Sequence, residues 1–372
     1  MTTTHIPATR RRRALGMAAG LACALLTLSV PAPATAAADQ VELGDVRQAI
    51  RNVAKTAGVV GAIGEVYVDG KRVGRGTAGS RLLGGKGGRI PSDSRYRITS
   101  QTKLMEATVI LQLAGEGKFA LGDKLSDVLP EMAAHDYVDR ADEITVRDLI
   151  RHTSGIPDFI DSGKFDVFDF TTAHKPIDLV RAARTVPREG DPGQYRYSTT
   201  NYVLLGMIIE RVTGHDRAAE FKRRLFAPLG MDHTYLATKV SDRIKGPHGH
   251  GYHPGSKGVP RDVDRLNATT YGVEGAISTA HDVSAFYRAL SQNKLVPAEQ
   301  QRELPRPMPE LCGGTVSSAS GSGAGINSTT FSSADGRVQF AVATTLKIDN
   351  MKADAVGDAV RKAAEAVLCP GR

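Results

Sequence analysis

The densest chemistry in the sequence lies in Tyr96-Arg97-Ile98-Thr99-Ser100-Gln101-Thr102-Lys103, where a serine hydroxyl and a lysine amine stand three residues apart. On a helix that spacing puts both side chains on one face, one turn apart. A serine hydroxyl attacks a carbonyl only when a neighbouring base takes its proton. A lysine withdrawn from water suits that task, because burial disfavours its charged form. If the helix starts at Ser100, its first N–H groups and its dipole also favour a developing oxyanion. The same tetrapeptide equally fits a serine that only caps a helix. His248, His250 and His253 form a second cluster, in a loop rich in Gly and Pro. No carboxylate or cysteine follows them at ligand spacing, so the sequence reading is no metal site and no cofactor. Gly84 to Gly88 is not a phosphate loop, because Gly85 stands where lysine is needed and no Ser or Thr follows Lys86. Ser154 lacks the Gly-x-Ser-x-Gly frame of a nucleophile elbow.

The elements that must position these groups follow from periodicity. Ser100 to Ala114 reads as a helix apolar on most sides, hence a buried central one. Leu43 to Gly58 reads as a helix with Val46, Ala49, Ile50, Val53 and Ala57 on one face. Val59 to Ala78 reads as a hairpin turning at Asp69-Gly70, and Ile326 to Ser333 with Arg337 to Leu346 as another around Asp335-Gly336. Short helices and loops fill the middle: Val146 to His152, Ile177 to Thr185, Tyr202 to Thr213 and Asp216 to Phe226. An Ala-rich helix, Met351 to Leu368, closes the chain. Strands at both ends with helices between predict an α/β fold. It is a discontinuous α/β sandwich (39–120 and 285–372, an antiparallel sheet with helices on both faces) with an inserted mostly helical domain (121–284).

Composition narrows the function. The chain has 372 residues, 41% hydrophobic and 24% charged, which excludes general disorder. Tryptophan is absent and aromatics are 5%, so stacking platforms for single-stranded nucleic acid are scarce. Arg10 to Arg13, the apolar Ala14 to Val30 and the small residues Pro31 to Ala38 have the layout of a cleaved secretory signal over 1–38. The four arginines leave with it, so 44 of the 48 basic residues face 40 acidic ones, a mild +4 that argues for no nucleic-acid partner. After cleavage no stretch is long enough for a stable membrane span. Cys23 is removed too. The remaining pair, Cys312 and Cys369, predicts one disulfide in a secreted chain, with two free buried thiols as the other reading.

Further segments carry a family likeness. Tyr-Arg-Ile-x-Ser-x-x-Lys leads into a long apolar helix ending Leu113-Ala114-Gly115-Glu116-Gly117-Lys118. Downstream stand His152-Thr153-Ser154-Gly155, then Tyr197-Ser198-Thr199-Thr200-Asn201-Tyr202, then Phe226-Ala227-Pro228-Leu229-Gly230-Met231, and Gly275 to Val283. Together they resemble the class C β-lactamase and D-alanyl-D-alanine carboxypeptidase family of serine hydrolases, over about residues 43–369. The resemblance implies Ser100 as the acylated nucleophile, Lys103 as its base partner and Tyr197 as the phenol that passes a proton to the leaving group. Thr199 stands where that Tyr-x-Asn motif has asparagine, and Asn201 is an unlikely substitute in helix geometry. The third motif, His-x-Gly or Lys-Thr-Gly on an edge strand, falls at Ala319-Ser320-Gly321, with Ala319 replacing the cation or imidazole. The backbone N–H groups of Ser100 and Ser322 would form the oxyanion hole. Thr199, Ser320, Gly321 and Arg306 are implied substrate contacts, although Arg306 is as readily an exposed loop arginine. The Cys312–Cys369 pairing fits the family pattern as well.

The sequence reading is therefore a secreted serine hydrolase working through a Ser100 acyl-enzyme. Its implied substrates are small peptides or peptidoglycan stems ending in D-Ala-D-Ala, with β-lactams as mimics. Two alternatives stand beside it. One is an esterase, amidase or transacylase on the same scaffold, favoured by Thr199 and Ala319. The other is a degenerate binding protein, disfavoured by the retention of Ser100, Lys103 and Tyr197.

Overall fold

The computed structural model describes residues 41–188, 190–271, 275–305 and 309–371. Its strands there are β1 Val59–Val68, β2 Lys71–Gly79, β3 Tyr96–Arg97, β4 Tyr235–Leu236, β5 Tyr252–Pro254, β6 Pro260–Asp262, β7 Ala276–Ser278, β8 Glu310–Leu311, β9 Val316–Gly323, β10 Ile326–Ser333 and β11 Val338–Leu346. The main sheet is antiparallel, in the order β2-β1-β11-β10-β9-β8. A small sheet runs β3-β7-β4, and β5 pairs with β6. At the β1–β2 turn Asp69 and Gly70 both take positive φ, 50° and 79°, the requirement of the tight hairpin that the sequence predicted.

The two-residue period of the strands sorts the core into two layers. Ala62, Val66, Phe340 and Val342 face one side. There α1 (Val46–Ala54) and the closing helix bury Ile50, Val53, Val356, Val360 and Val367. Ile63, Tyr67, Ala341 and Ala343 face the other side, packed with Val283, Phe286 and the apolar residues of α2 (Gln101–Gly115). The fold is thus a mixed α/β architecture with antiparallel sheets and helices on both faces. The main-sheet strands come from residues 59–79 and 310–346. On that distribution we propose the division into 39–120 plus 285–372 and 121–284.

Two differences from the sequence reading have physical causes. The first helix ends at Ala54, short of Gly58, because Lys55 N–H and Thr56 N–H bond three residues back, to Asn52 O and Val53 O, and tighten the last turn. Ala57 is accordingly exposed. Strand β9, Val-Ser-Ser-Ala-Ser-Gly-Ser-Gly, carries little strand propensity and was located only by motif register. Its pairing with β10 sets it, with Gly321 opposite Ser328 and Ser322 opposite Asn327.

Candidate active site

Ser100 stands at the start of α2, and the residue before it creates the exposure. Thr99 takes φ 49°, an outlier for a β-branched residue, at the junction from β3 to the helix. The junction is held from both sides. Ile98 N–H donates to Ala276 O at 3.0 Å, Ser328 Oγ donates to Ile98 O at 3.1 Å, and Gln101 Nε2 donates to Ser328 Oγ at 2.9 Å.

The structure brings the three expected side chains together. Ser100 Oγ lies 2.9 Å from Tyr197 Oη, and Lys103 Nζ donates to Ser100 Oγ at 3.3 Å. Lys103 is only 3% exposed. Its amine sits 5.1 Å from the Tyr197 ring centre and 6.0 Å from that of Tyr202, within cation–π reach of both. Tyr202 is fixed by its own hydroxyl, which donates to Ile150 O at 3.0 Å.

Tyr197 is positioned by a residue whose role the sequence reading missed. The His152 ring stacks on it, with centres 4.5 Å apart and planes 24° apart. His152 ends the helix α3 (Val146–Arg151) in the left-handed conformation, and its carbonyl accepts from Arg196 N–H at 2.7 Å, beside Tyr197. Burial and the nearby Lys103 cation push the imidazole down to about 3. Ser198 N–H donates to Nδ1 at 3.1 Å, so the ring is neutral with its proton assigned to Nε2. Ser154 Oγ donates to Asn201 Oδ1 at 2.7 Å, which turns Asn201 into the core, away from the asparagine position of the motif. The signal for these residues was present in the His-Thr-Ser-Gly stretch, but only as a likeness without a mechanism.

Thr199 opens the helix α4 (Thr199–Thr213) and is buried. Its N–H is capped by Asp158 Oδ2 at 2.7 Å. One turn beyond Lys103 lies the fully buried Glu106, which the sequence reading also passed over. Burial raises its carboxyl to about 7, against the opposing pull of Arg217, whose Nε is 2.9 Å away.

The other wall is β9. A Cβ added to Gly321 would lie 1.9 Å from Thr99 Oγ1, 2.4 Å from Ile98 O and 2.8 Å from Ser100 N, so only glycine permits this approach. Ser318 N–H donates to Pro309 O, on the outer side of β9. By the two-residue repeat the N–H groups of Ser320 and Ser322 point to that same side. There β8 pairs only with Val316 and Ser317. Ala319 is half-buried against the core, Ser320 Oγ lies 3.2 Å from Thr329 Oγ1, and Ser322 Oγ accepts from Asn327 Nδ2 at 2.9 Å. Cys312 and Cys369 are joined, with Cα atoms 5.8 Å apart, tying the entry to β9 to the end of the closing helix. Arg306 and the signal-like segment 1–38 lie outside the described residues. No helix among the described residues is long and apolar enough to cross a membrane.

The histidine loop differs from its sequence reading. His248 and His250 stack 5.2 Å apart, and the β5–β6 hairpin returns Asp262 and Asp264 to them. His253 faces Phe168 and Asp349 instead. Asp264 and Asp262 stand 16 and 12 residues along the chain from their histidine partners, outside local ligand spacing.

A serine, a buried lysine and a tyrosine around one hydroxyl, beside a glycine-bearing strand, define a serine hydrolase of the penicillin-recognising type. The β-lactamase family model matches residues 46–342, and the chain belongs to that family of serine hydrolases. It is 31% identical over 240 residues to penicillin-binding protein 4 of Amycolatopsis lactamdurans, covering 62% of this chain and 59% of that protein. It is 30% identical over 200 residues to a putative penicillin-binding protein of Bacillus subtilis (strain 168), covering 54% and 47%. The chain thus spans less than two thirds of the length of these curated relatives. Among solved structures it is similar to a D-stereospecific amidohydrolase from Streptomyces sp., with TM-score 0.74, 28% identity and 88% and 98% of the two chains covered. It also shares its fold with a D-amino acid amidase from Ochrobactrum anthropi SV3, with TM-score 0.73, 21% identity and 86% and 98% covered.

Proposed function

We propose that the chain hydrolyses amide bonds of D-configured aminoacyl or short peptide substrates through a Ser100 acyl-enzyme. The observation that carries this reading is the convergence of Lys103 Nζ and Tyr197 Oη on Ser100 Oγ at the head of α2. Lys103, acting in its neutral amine form, takes the hydroxyl proton as Oγ attacks the carbonyl carbon. The oxygen becomes an anion held by the N–H groups of Ser100 and Ser322. Tyr197 delivers a proton to the leaving nitrogen, the C–N bond breaks, and the Ser100 ester remains. Water then attacks the ester, its proton passes back through the same pair, and the acid is released.

Ala319 favours an amide leaving group without a carboxylate. A cation at this position would hold a C-terminal carboxylate by a charge-assisted bond worth roughly 1.5–3 kcal/mol, or about tenfold to a hundredfold in turnover. The similarity to the Streptomyces amidohydrolase supports the same choice. The second reading, a D-alanyl-D-alanine carboxypeptidase acylated by β-lactams, is supported by the similarity to the penicillin-binding proteins. The protein would work outside the cell after loss of residues 1–38, a location that the disulfide suits. Purified protein and Ser100→Ala are compared on D-aminoacyl p-nitroanilides, a peptide ending in D-Ala-D-Ala and a fluorescent penicillin. The proposal predicts Ser100-dependent anilide hydrolysis that exceeds peptide cleavage by at least about tenfold, with Ala319→His narrowing the gap. Faster cleavage of the D-Ala-D-Ala peptide supports the second reading, and no Ser100-dependent product from any substrate overturns both.

A further inference from the structure

Outside the Ser100 site, the most telling donor–acceptor arrangement is at His248. Its Nδ1 lies 2.6 Å from Gly246 O, and its Nε2 lies 2.8 Å from Asp264 Oδ1. A carbonyl oxygen only accepts, so Nδ1 carries the proton. In the neutral ring Nε2 then offers a lone pair, facing a carboxylate oxygen that also offers one. A second proton on the ring closes that pair as an ion pair, and a metal cation held between the two atoms closes it equally. The neighbouring ring supplies a third lone pair. His250 Nδ1 lies 2.7 Å from Asp262 Oδ2, which fixes its proton there and leaves Nε2 as a donor. One potential ligand atom from each of His248, His250 and Asp264 falls within 4.8 Å of the other two.

We propose that His248, His250 and Asp264 form a binding site for a divalent transition-metal ion, Zn²⁺ by the chemistry of the set. Two imidazoles and one carboxylate suit Zn²⁺ rather than Mg²⁺ or Ca²⁺, and leave a fourth tetrahedral position for water. Both histidines have an orienting partner on Nδ1, Gly246 O for His248 and Asp262 for His250, which would leave Nε2 of each as the ligand atom. This pattern fixes tautomer and ring plane in metal sites. His248 is nearly buried, while the His250 side chain is 24% exposed and gives an entry path. Two guanidiniums oppose the ion: Arg81 donates to His248 O at 3.2 Å and Arg97 to Asp264 O at 3.1 Å. They touch carbonyls, not the ligand atoms, and Asp262 and Asp264 balance them.

The ion would act as a clasp. His250 N–H donates to Arg81 O, and Leu83 N–H donates to Tyr252 Oη, so the ligand loop already joins the segment after β2. Gly251 is backed against Gly325, between β9 and β10, where an added Cβ would lie 2.5 Å from Gly325 O. Metal binding would therefore brace the strand pair that borders Ser100 without contacting substrate.

The test uses full-length processed protein without a polyhistidine tag, stripped with a chelator and titrated with ZnCl₂ alone. Calorimetry counts sites, CoCl₂ substitution reports geometry by its visible bands, and thermal melts report coupling to the fold. The proposal predicts one ion per chain, tetrahedral cobalt bands and a rise in Tm reversed by chelator. Asp262→Asn should weaken binding by about tenfold to a hundredfold. His250→Ala should lose it while reaction of Ser100 with an activated ester persists. If Zn²⁺ gives no stoichiometric binding, or if His250→Ala binds as the parent does, the proposal fails and a proton alone closes the His248–Asp264 pair.

Discussion

Replacing Gly321 with alanine tests the geometry of the site more sharply than removing any reactive group. The backbone of Gly321 is not in the left-handed region, so alanine is excluded by contact alone. The nearest obstacle, Thr99 Oγ1 at 1.9 Å, can rotate, but Ile98 O at 2.4 Å and Ser100 N at 2.8 Å are backbone atoms of the nucleophile's own segment. Restoring an ordinary contact of 3.4 Å to Ile98 O moves β9 and the Ser100 segment apart by about 1 Å. A misplacement of that size costs ~10²-fold in rate, or about 2.7 kcal/mol of barrier. Overpacking should lower stability by about 1–3 kcal/mol. Stopped-flow acylation by a p-nitrophenyl ester measures the first quantity and urea unfolding the second, with Ser317→Ala as a control on the same strand. A folded Gly321→Ala protein that acylates within about threefold of the parent would refute the claim that β9 completes the site.

Further outcomes follow from the same geometry. His152→Ala should lower kcat by roughly tenfold with little change in KM, since the stacked partner of Tyr197, worth about 0.5–1.5 kcal/mol, is lost; an unchanged kcat would show that the stack positions nothing. Stability should fall with acidity. The folded His152 titrates near 3 against an ordinary 6.5, so the unfolded chain binds the extra proton, and the loss begins below about pH 6.5 and grows until pH 3. At pH 5 it amounts to ~2 kcal/mol, to be read as a flatter pH dependence of urea unfolding in His152→Phe. Replacing Cys312 and Cys369 by serine opens a closure over 57 residues and should cost about 4 kcal/mol in the same assay; a loss below about 1 kcal/mol would contradict the entropic account.

Much of this fold is legible in the sequence because local and global preferences agree. Asp69-Gly70 specifies a hairpin without help, the mostly apolar or small residues of β1 and β11 suit strands covered on both faces, and the apolar girth of α2 specifies a central helix. Strand β9 is different. Its serines and glycines carry little hydrophobic patterning, because the close approach of Gly321 to the Ser100 segment demands small residues and leaves no hydrophobic signature. His152 was illegible for a related reason. Its work is to lie flat against Tyr197, 45 residues away in sequence, and a neutral buried imidazole looks like any other polar core residue until the ring across from it is seen. The carboxylates facing His248 and His250 were missed because a hairpin, rather than a helical turn, returns them.

The central claim is that Ser100 Oγ becomes covalently loaded. The most direct measurement is intact-mass spectrometry of the protein quenched during reaction with an activated D-aminoacyl ester, followed by peptide mapping. The account predicts one added acyl group, mapped to Ser100, that disappears as product forms and is absent from Ser100→Ala and greatly slowed in Lys103→Ala. Turnover in which no adduct ever accumulates at Ser100, or an adduct that survives Ser100→Ala, would contradict it.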